Sequence, residues 1–575
     1  MYKRLDFKKN ICYNDRKKRK ELTIMKITAN KKGFSVLLNN EEFFRFTPTV
    51  KADSKDKADE NEEIISFTQN ENSYIWEAKS DVYKKKIYTL IFNGENAVFR
   101  TKLIGSACIG KVKWFLGSDF DASHYYSPNM MANGQLNPYR FMTESSTEKS
   151  NFFVPPPLCY VFDMQENEKL LGVGLCAKEK KYNFDYFTYE HENNLCCFGT
   201  NYNHYTEFED EYDLPDILFT EDTDRFEIYK KYSLFHFENG YTNKIKHKKV
   251  QWWNGPFFCG WGDQWFTAMD MNSASKKDSK TGWDDVAIAE NAENDIPLIF
   301  DMAINCANEK IYRELLDLTK QKNIPYNTII IDCKWNTHFG TMEVDKKKWP
   351  DLRKFIDEQH KNGIKVLLWF NFWSTEGLEA DECITVEGKP VYVDPTNKKY
   401  QTHIKEILYK LLSSDEGCYD ADGFKIDFMN IPDKENMVIA EKGIYGIELL
   451  KMRLQQIFDI SHSIKEDTLI CAQCVHPYFD ECQDMMRIGD YWSSSNHSSS
   501  HLEKRIGVLK AVLPDVLVDT DSAGGRNRDS LIYYRKSVKM GVPCFYGTKM
   551  HKKYTEKEWK EVSSLYYEYI EKTYK

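Results

Sequence analysis

The spacing of apolar and polar positions divides the chain into two rhythms. From Lys26 to about Asn243, short segments rich in β-branched and aromatic residues alternate with polar breaks. FSVLLNN, SYIWEAKS, KKIYTLIFN, AVFRTKLIG, KVKWFLG and FEIYKKYSLFHF all read as strands, separated by turn-forming stretches such as NGEN and SKDKADENEE. Many short strands with frequent turn signals predict an all-β sandwich. The Tyr-, Asn- and Pro-rich stretch 124–142 is expected to be a long loop.

Near Val250 the pattern changes. Short, almost wholly apolar runs now alternate with segments of helical period. The runs are FFCGW (257–261), NTIIIDCKW (327–335), IKVLLWFNFW (364–373), DGFKIDF (422–428), TLICAQ (468–473), MMRIGDY (485–491), DVLVDT (515–520) and GVPCFYG (541–547). Helical patterns follow most of them, from EKIYRELLDLTKQK to the final EKEWKEVSSLYYEYIEK. Continuous apolar strands alternating with amphipathic helices predict a parallel sheet covered on its outer face. Eight such units over about 325 residues fit a TIM-type (β/α)8 barrel. An open doubly wound sheet uses the same alternation, but no Gly-rich phosphate loop is present to favour it. The expected organisation is a basic tail (1–22), a β-sandwich (23–249) and a barrel (250–575).

Charge and composition narrow the function. The chain has 575 residues, with 79 Lys+Arg against 88 Asp+Glu, a net charge of −9. That excludes a general polyanion binder, which needs a basic footprint, so no nucleic-acid partner is expected. No apolar run approaches the roughly 20 residues of a membrane span. The basic first 22 residues lack an apolar core and do not read as a secretory signal; a frayed terminus fits better than an arm for nucleic acid or membrane. Fifteen cysteines, an odd count, predict thiols in a reducing, cytoplasmic setting. Aromatics reach 14%, which suits large cores and also surfaces on which sugar rings stack.

In a barrel of this kind, chemistry sits at the C-terminal ends of the strands. Those ends carry Asp332 and Trp335 (second), Asn371 and Trp373 (third), and Lys425 and Asp427 (fourth). Gln473 and Cys474 end the fifth, Arg487 and Asp490 the sixth, Asp519 and Asp521 the seventh. A Lys or Asp inside an apolar strand is costly unless paired. Lys425 and Asp427, two apart, leave the same face. A buried structural ion pair is one reading; a catalytic pocket is the other, favoured because the neighbouring strand ends are also polar. Two carboxylates across a pocket are what glycosidic cleavage needs, one attacking the anomeric carbon and one protonating the leaving oxygen. A Lys beside Asp427 would keep it ionised, as a nucleophile requires. Asp490 precedes the polar loop YWSSSNHSSSH, which could bury a carboxyl partly and raise its pKa, as a general acid requires.

These segments, in this order, resemble the catalytic barrel of glycoside hydrolase clan D, which holds the family 36 α-galactosidases and raffinose-synthase-like proteins and the family 31 α-glucosidases. DGFKIDF resembles the nucleophile strand, with its Lys-x-Asp. MMRIGDY and the Ser- and His-rich stretch after it resemble the acid/base segment, VDPTNKKYQTHI the segment after the third strand. IIIDCKW is similar to a second-strand motif that usually reads Asp-Asp-Gly-Trp, with Cys333 and Lys334 in place of the second Asp and the Gly. The resemblance implies a retaining α-glycosidase with Asp427 as nucleophile and Asp490 as acid/base. An α-galactosidase is the first expectation; α-glucosidase, α-xylosidase or transglycosylase activity follows closely. Asp332, Trp335, Lys425 and Arg487 would hold the sugar, joined by Trp261, Asn371, Trp369 and Cys471. The partner is an oligosaccharide or glycoside, and no cofactor or metal is implied. A non-catalytic carbohydrate-binding relative and a metal-dependent barrel hydrolase are the alternatives; the latter needs a His-rich set of strand ends, absent here.

Two further clusters invite chemistry. Cys471, Cys474, His476 and Cys482 could make a four-ligand zinc set, but their spacing matches no common zinc motif, and packing or sugar contact is favoured. Trp252, Trp253, Trp261 and Trp265 surround the first strand; Trp261 is the candidate stacking ring. Asp284 and Asp285, in a long first loop, read better as solvated than as substrate contacts.

Overall fold

The computed structural model describes residues 25–119, 155–163, 169–192, 195–275, 298–489, 491–492, 498–521, 523–524 and 529–574. The basic tail, the stretch 124–142, Asp284, Asp285 and Asp490 lie outside the described residues.

The first half forms two mainly antiparallel sheets. One runs Lys26–Asn30, Gly33–Leu38, Glu41–Phe46, Ala107–Asp119, Leu195–Phe208 and Thr188–Glu192, with Val50–Ser54 also on Ala107–Asp119. The other runs Cys159–Asp163, Leu170–Cys176, Asp216–Asp222, Asn96–Ile104, Lys85–Phe92, Ser73–Ser80 and Glu62–Gln69. The alternation seen in the sequence becomes alternation of burial: Tyr74, Trp76 and Ala78 are buried while their neighbours are less so. Rings from the two sheets meet between them. Phe34, Phe46 and Phe115 of the first sheet pack on Phe99 and Phe219 of the second, with centroids 4.8–5.9 Å apart. Such pairs add about 0.5–1.5 kcal/mol each beyond their buried area.

FEIYKKYSLFHF is not a strand. It lies in helix α1 (Arg225–Glu238), whose N-cap Asp224 accepts from the Phe226 N–H. Its buried positions, Ile228, Tyr229, Tyr232, Ser233 and His236, follow helical period. The strand Leu170–Cys176 carries Gly172 and Gly174, and a Cβ on either would come within 2.5 Å of Ile228 or Tyr232. The missing side chains let α1 lie flat on the sheet.

The eight runs of the second half are the strands of a parallel barrel: β1 (Phe257–Cys259), β2 (Thr328–Ile331), β3 (Lys365–Asn371), β4 (Gly423–Asp427), β5 (Leu469–Ala472), β6 (Met485–Arg487), β7 (Leu517–Asp519) and β8 (Cys544–Phe545). Each pairs with its neighbour in chain order, and β8 pairs with β1. A parallel bridge between Asp519 and Val542 closes the ring. The helices between strands include α2 (Trp261–Ser275), α3 (Glu309–Gln321), α4 (Leu352–Lys361), α5 (Lys398–Leu412), α6 (Gly446–Ile464), α7 (Ser498–Val512) and α8 (Asp529–Met540); α9 (Glu556–Tyr569) comes last. Asn308, Asp351 and Asn397 cap α3, α4 and α5 by accepting backbone N–H groups, which satisfies donors the helix itself leaves open. Trp261 and Trp265 belong to α2 rather than to an extended first strand. Among the described residues, no helix is long and apolar enough to cross a membrane, and the fourteen described cysteines are thiols.

Candidate active site

Strand period two sends one set of residues into the barrel. Cys259, Ile330, Leu367, Leu469, Cys471, Met485, Val542 and Cys544 form a buried apolar interior. One step further along the strands, the inward positions become charged: Asp332, Lys425, Asp427 and Arg487. The register sets them side by side, with Trp369 opposite Lys425 and Asn371 opposite Asp427.

These groups form one chain of alternating sign. Lys425 Nζ lies 2.8 Å from Asp332 Oδ2 and 3.2 Å from the Tyr546 hydroxyl. The Tyr546 hydroxyl donates to Asp521. Arg487 joins Asp521 (3.2 Å) to Asp427 (3.1 Å). The Cys259 thiol completes the floor, donating to Asp332 Oδ2 at 3.1 Å. Asp332, Lys425, Arg487 and Asp521 are at most 2% exposed, so each charge must be matched. Asp427 is the member that opens toward solvent, with a side chain 22% exposed.

Asp427 is held as a carboxylate. Burial would raise its pKa, but the Arg487 guanidinium and, after it, the Lys425 ammonium outweigh burial and hold it below the usual carboxylate range. The Phe428 N–H (3.0 Å) and the Trp369 indole N–H (3.2 Å) donate to its two oxygens. Because Lys425 and Asp427 share a strand face, the sequence predicts that they pair. The structure gives the Lys425 hydrogen bond to Asp332 instead, and Arg487 is the cation that touches Asp427. Burial also works against Lys425, yet Asp332 keeps its ammonium pKa well above the ordinary value. Asp519 differs: burial, then the Asp521 carboxylate, push it up to about 7.

The other expected residues divide. Trp369 is 2% exposed and bonded to Asp427; Asn371 is half-buried beside it. Trp335 is fully buried, and its one donor goes to the Trp369 carbonyl at 2.9 Å, so it positions the β3 end from behind. Cys471 lies in the interior layer, with its thiol 3.9 Å from Asp519. Trp261 packs on Trp265 and Phe300 at 6.0 and 5.8 Å, and among the described residues no hydrogen bond or ring contact joins it to Asp427. Cys471, Cys474, His476 and Cys482 do not come together as a ligand set among the described residues. His476 uses one ring nitrogen on the Tyr478 N–H and the other on the Tyr232 hydroxyl, and Cys482 donates to the Phe479 carbonyl. Tyr546 and Cys259 were not singled out by the sequence; the signal was their strand period relative to Cys544 and Phe257.

Three residues of these strand ends adopt left-handed backbone, one of them Asp521 with φ 52°. Lys334, where the resembling motif carries Gly, has φ 72°, and Phe428, directly after Asp427, has φ 56°. This costs about 1–2 kcal/mol for a residue with a Cβ. Lys334 Nζ lies 3.9 Å from the Phe339 ring centroid and 2.6 Å from Glu376.

Residues 299–448 match the family model described as the glycosyl hydrolases family 31 TIM-barrel domain. An α-xylosidase, XylQ of Lactiplantibacillus pentosus, is 28% identical over 145 residues, an alignment that takes in 21% of this chain and 18% of that protein. The fold is similar to that of a family 31 sulfoquinovosidase from E. rectale, with TM-score 0.55 and 11% identity over 95% of this chain and 83% of that one. It is also similar to a cycloalternan-forming enzyme from Listeria monocytogenes, with TM-score 0.51 and 11% identity over 92% of this chain and 55% of that one. At such identities the structural likeness speaks for the fold. The family-model match over residues 299–448 and the charged ring at the C-terminal strand ends both make this barrel similar to those of family 31 glycosyl hydrolases.

Proposed function

We propose that this chain is a retaining α-glycosidase working by double displacement. The observation that carries the reading is Asp427: an ionised carboxylate at the end of β4, exposed on one side and fixed on the others by Arg487, Trp369 and the Phe428 N–H. In the first step Asp427 attacks the anomeric carbon while Asp490 gives its proton to the departing oxygen, leaving a glycosyl ester. In the second, Asp490 takes a proton from water, which attacks that ester and frees Asp427. Arg487 keeps the nucleophile charged, and the Asp332–Lys425 pair, buried in the floor of the pocket, is assigned to the sugar hydroxyls. The resemblance to clan D makes an α-galactoside the first reading of the sugar. The family 31 match and the α-xylosidase relative favour an α-xyloside or α-glucoside as the second reading.

A panel of p-nitrophenyl α-galactoside, α-glucoside and α-xyloside tests the sugar. Asp427→Ala tests the chemistry: turnover of the preferred glycoside should fall by three or more orders of magnitude. Added azide should restore part of it by entering the vacated space, releasing a β-glycosyl azide. Near-wild-type turnover in Asp427→Ala would remove Asp427 from the nucleophile role.

A further inference from the structure

Phe428 is an unusual residue to find beside a carboxylate. It is a large apolar side chain, 54% exposed, whose backbone sits in the left-handed region that a bulky residue seldom adopts. Strain of that kind persists where the surroundings enforce it, and it marks candidate functional positions. Here the left-handed turn brings the Phe428 N–H onto Asp427 Oδ1 and sets its ring outside the barrel mouth. That ring meets Trp369 edge-on, at 5.8 Å and 83°. Trp369 in turn meets Phe339 at 5.4 Å. Next to Phe339, Lys334 is also left-handed, and its ammonium caps the Phe339 ring and pairs with Glu376, which accepts from the Phe339 N–H as well. Two strained backbones therefore present one aromatic wall, and Trp369 links it directly to Asp427.

We propose that Phe428, with Trp369 and Phe339 behind it, is a stacking platform for the leaving group of the substrate, a flat six-membered ring such as a second sugar or an aryl aglycone, and that the Lys334–Glu376 pair bounds it on the far side. The proposal rests on the glycosidase reading. The departing oxygen lies on the face of the attacked carbon opposite Asp427, but the group it carries must still pass out through the mouth of the pocket, where Phe428 is an exposed ring. The C–H face of a sugar or the face of an aryl ring suits an exposed aromatic edge there, whereas a methyl group is too small to reach it. The substitution of Lys for the motif's Gly at 334 makes this wall a feature of this chain.

Binding separates this role from a structural one. The probes are the phenyl and methyl α-thioglycosides of galactose, glucose and xylose, titrated calorimetrically into the full chain; the sulfur linkage resists cleavage. In the wild type, the phenyl compound of the preferred sugar should bind about three- to tenfold more tightly than its methyl counterpart, the range an aromatic contact supplies. Phe428→Ala should abolish that ratio while leaving the methyl affinity and the melting temperature unchanged, and Phe428→Trp should keep it. Lys334→Gly should relieve strain, raise the melting temperature and reduce the ratio in part. An unchanged ratio in Phe428→Ala, in a protein that still cleaves p-nitrophenyl glycosides, overturns the platform alone. Failure of all six compounds to bind, with no turnover on any p-nitrophenyl glycoside, overturns the platform and the glycosidase reading together.

Discussion

Arg487 is the residue on which the charge of Asp427 most depends. It reaches Asp427 and Asp521 at once from a fully buried position. With its carboxyl pKa depressed, Asp427 is ionised above that value, and activity is lost as pH falls through it. In Arg487→Met the guanidinium is gone, so burial acts against only Lys425 and two hydrogen bonds. The acid limb of kcat/KM should then move to higher pH by a unit or more, with the basic limb, assigned to Asp490, in place. An acid limb that stays put would make Lys425 the controlling cation. Asp519 has the opposite sign. Its folded pKa, about 7, lies above the unfolded value, so the stability it confers is present at low pH and is lost as pH rises from about 4 to 7. Asp519→Asn does not titrate. Its melting temperature should fall less than the wild type's between pH 4 and pH 8, as differential scanning calorimetry would show.

At the scale of elements, the base of the barrel carries its own network. Behind β3 and β4, His360 lies 2.6 Å from Asp422 and 3.5 Å from Asp420, while Lys365 and Lys465 hold the same carboxylates. Burial lowers the His360 pKa, but the two aspartates prevail and raise it to about 9. Its contribution is full below about 6.5 and is lost as pH rises through 9. His360→Gln should therefore lose roughly 1–3 kcal/mol near pH 6 and much less at pH 10, measured by urea unfolding at both values. The strands that this network ties were legible, because buried parallel strands are almost wholly apolar and any charge within them stands out. The same contrast exposed Lys425, Asp427 and Arg487. What could not be read was pairing: Lys425 meets Asp332 only because the barrel closes, and a Tyr or Cys in a strand, as at Tyr546 and Cys259, looks ordinary. The aromatic sequence of α1 reads as a strand because Phe and Tyr favour strands, whereas its burial follows helical period. Local propensity yielded there to packing on a Gly-bearing sheet.

Across the whole molecule, α1 joins the sandwich to the barrel through two buried histidines. His476, after β5, accepts the Tyr478 N–H at Nδ1, so its proton sits on Nε2 and meets the Tyr232 hydroxyl of α1 at 2.8 Å. Tyr232 passes a hydrogen bond on to the Leu175 carbonyl of the sandwich at 2.7 Å. His236, one turn along α1, donates from Nδ1 to the Tyr232 carbonyl, and its Nε2 has no hydrogen-bond partner among the described residues. The two imidazoles lie 5.3 Å apart. This junction accommodates neutral rings and has no place for a second proton. Burial accordingly lowers His236 to about 4 and takes His476 well below its ordinary value, helped there by His236. The unfolded chain binds protons at both sites below about pH 6.5 while the folded one does not, so stability falls as pH drops from 6.5 toward 4. Acid should thus strain the seam between sheet and barrel before it reaches the ionised pocket. His236→Phe removes one of the two proton acceptors without emptying the space. Its melting temperature should fall less steeply than the wild type's between pH 6.5 and 4.5, and amide exchange in α1 should rise less. If wild type and variant lose stability in parallel over that range, the acid sensitivity lies elsewhere than in this histidine.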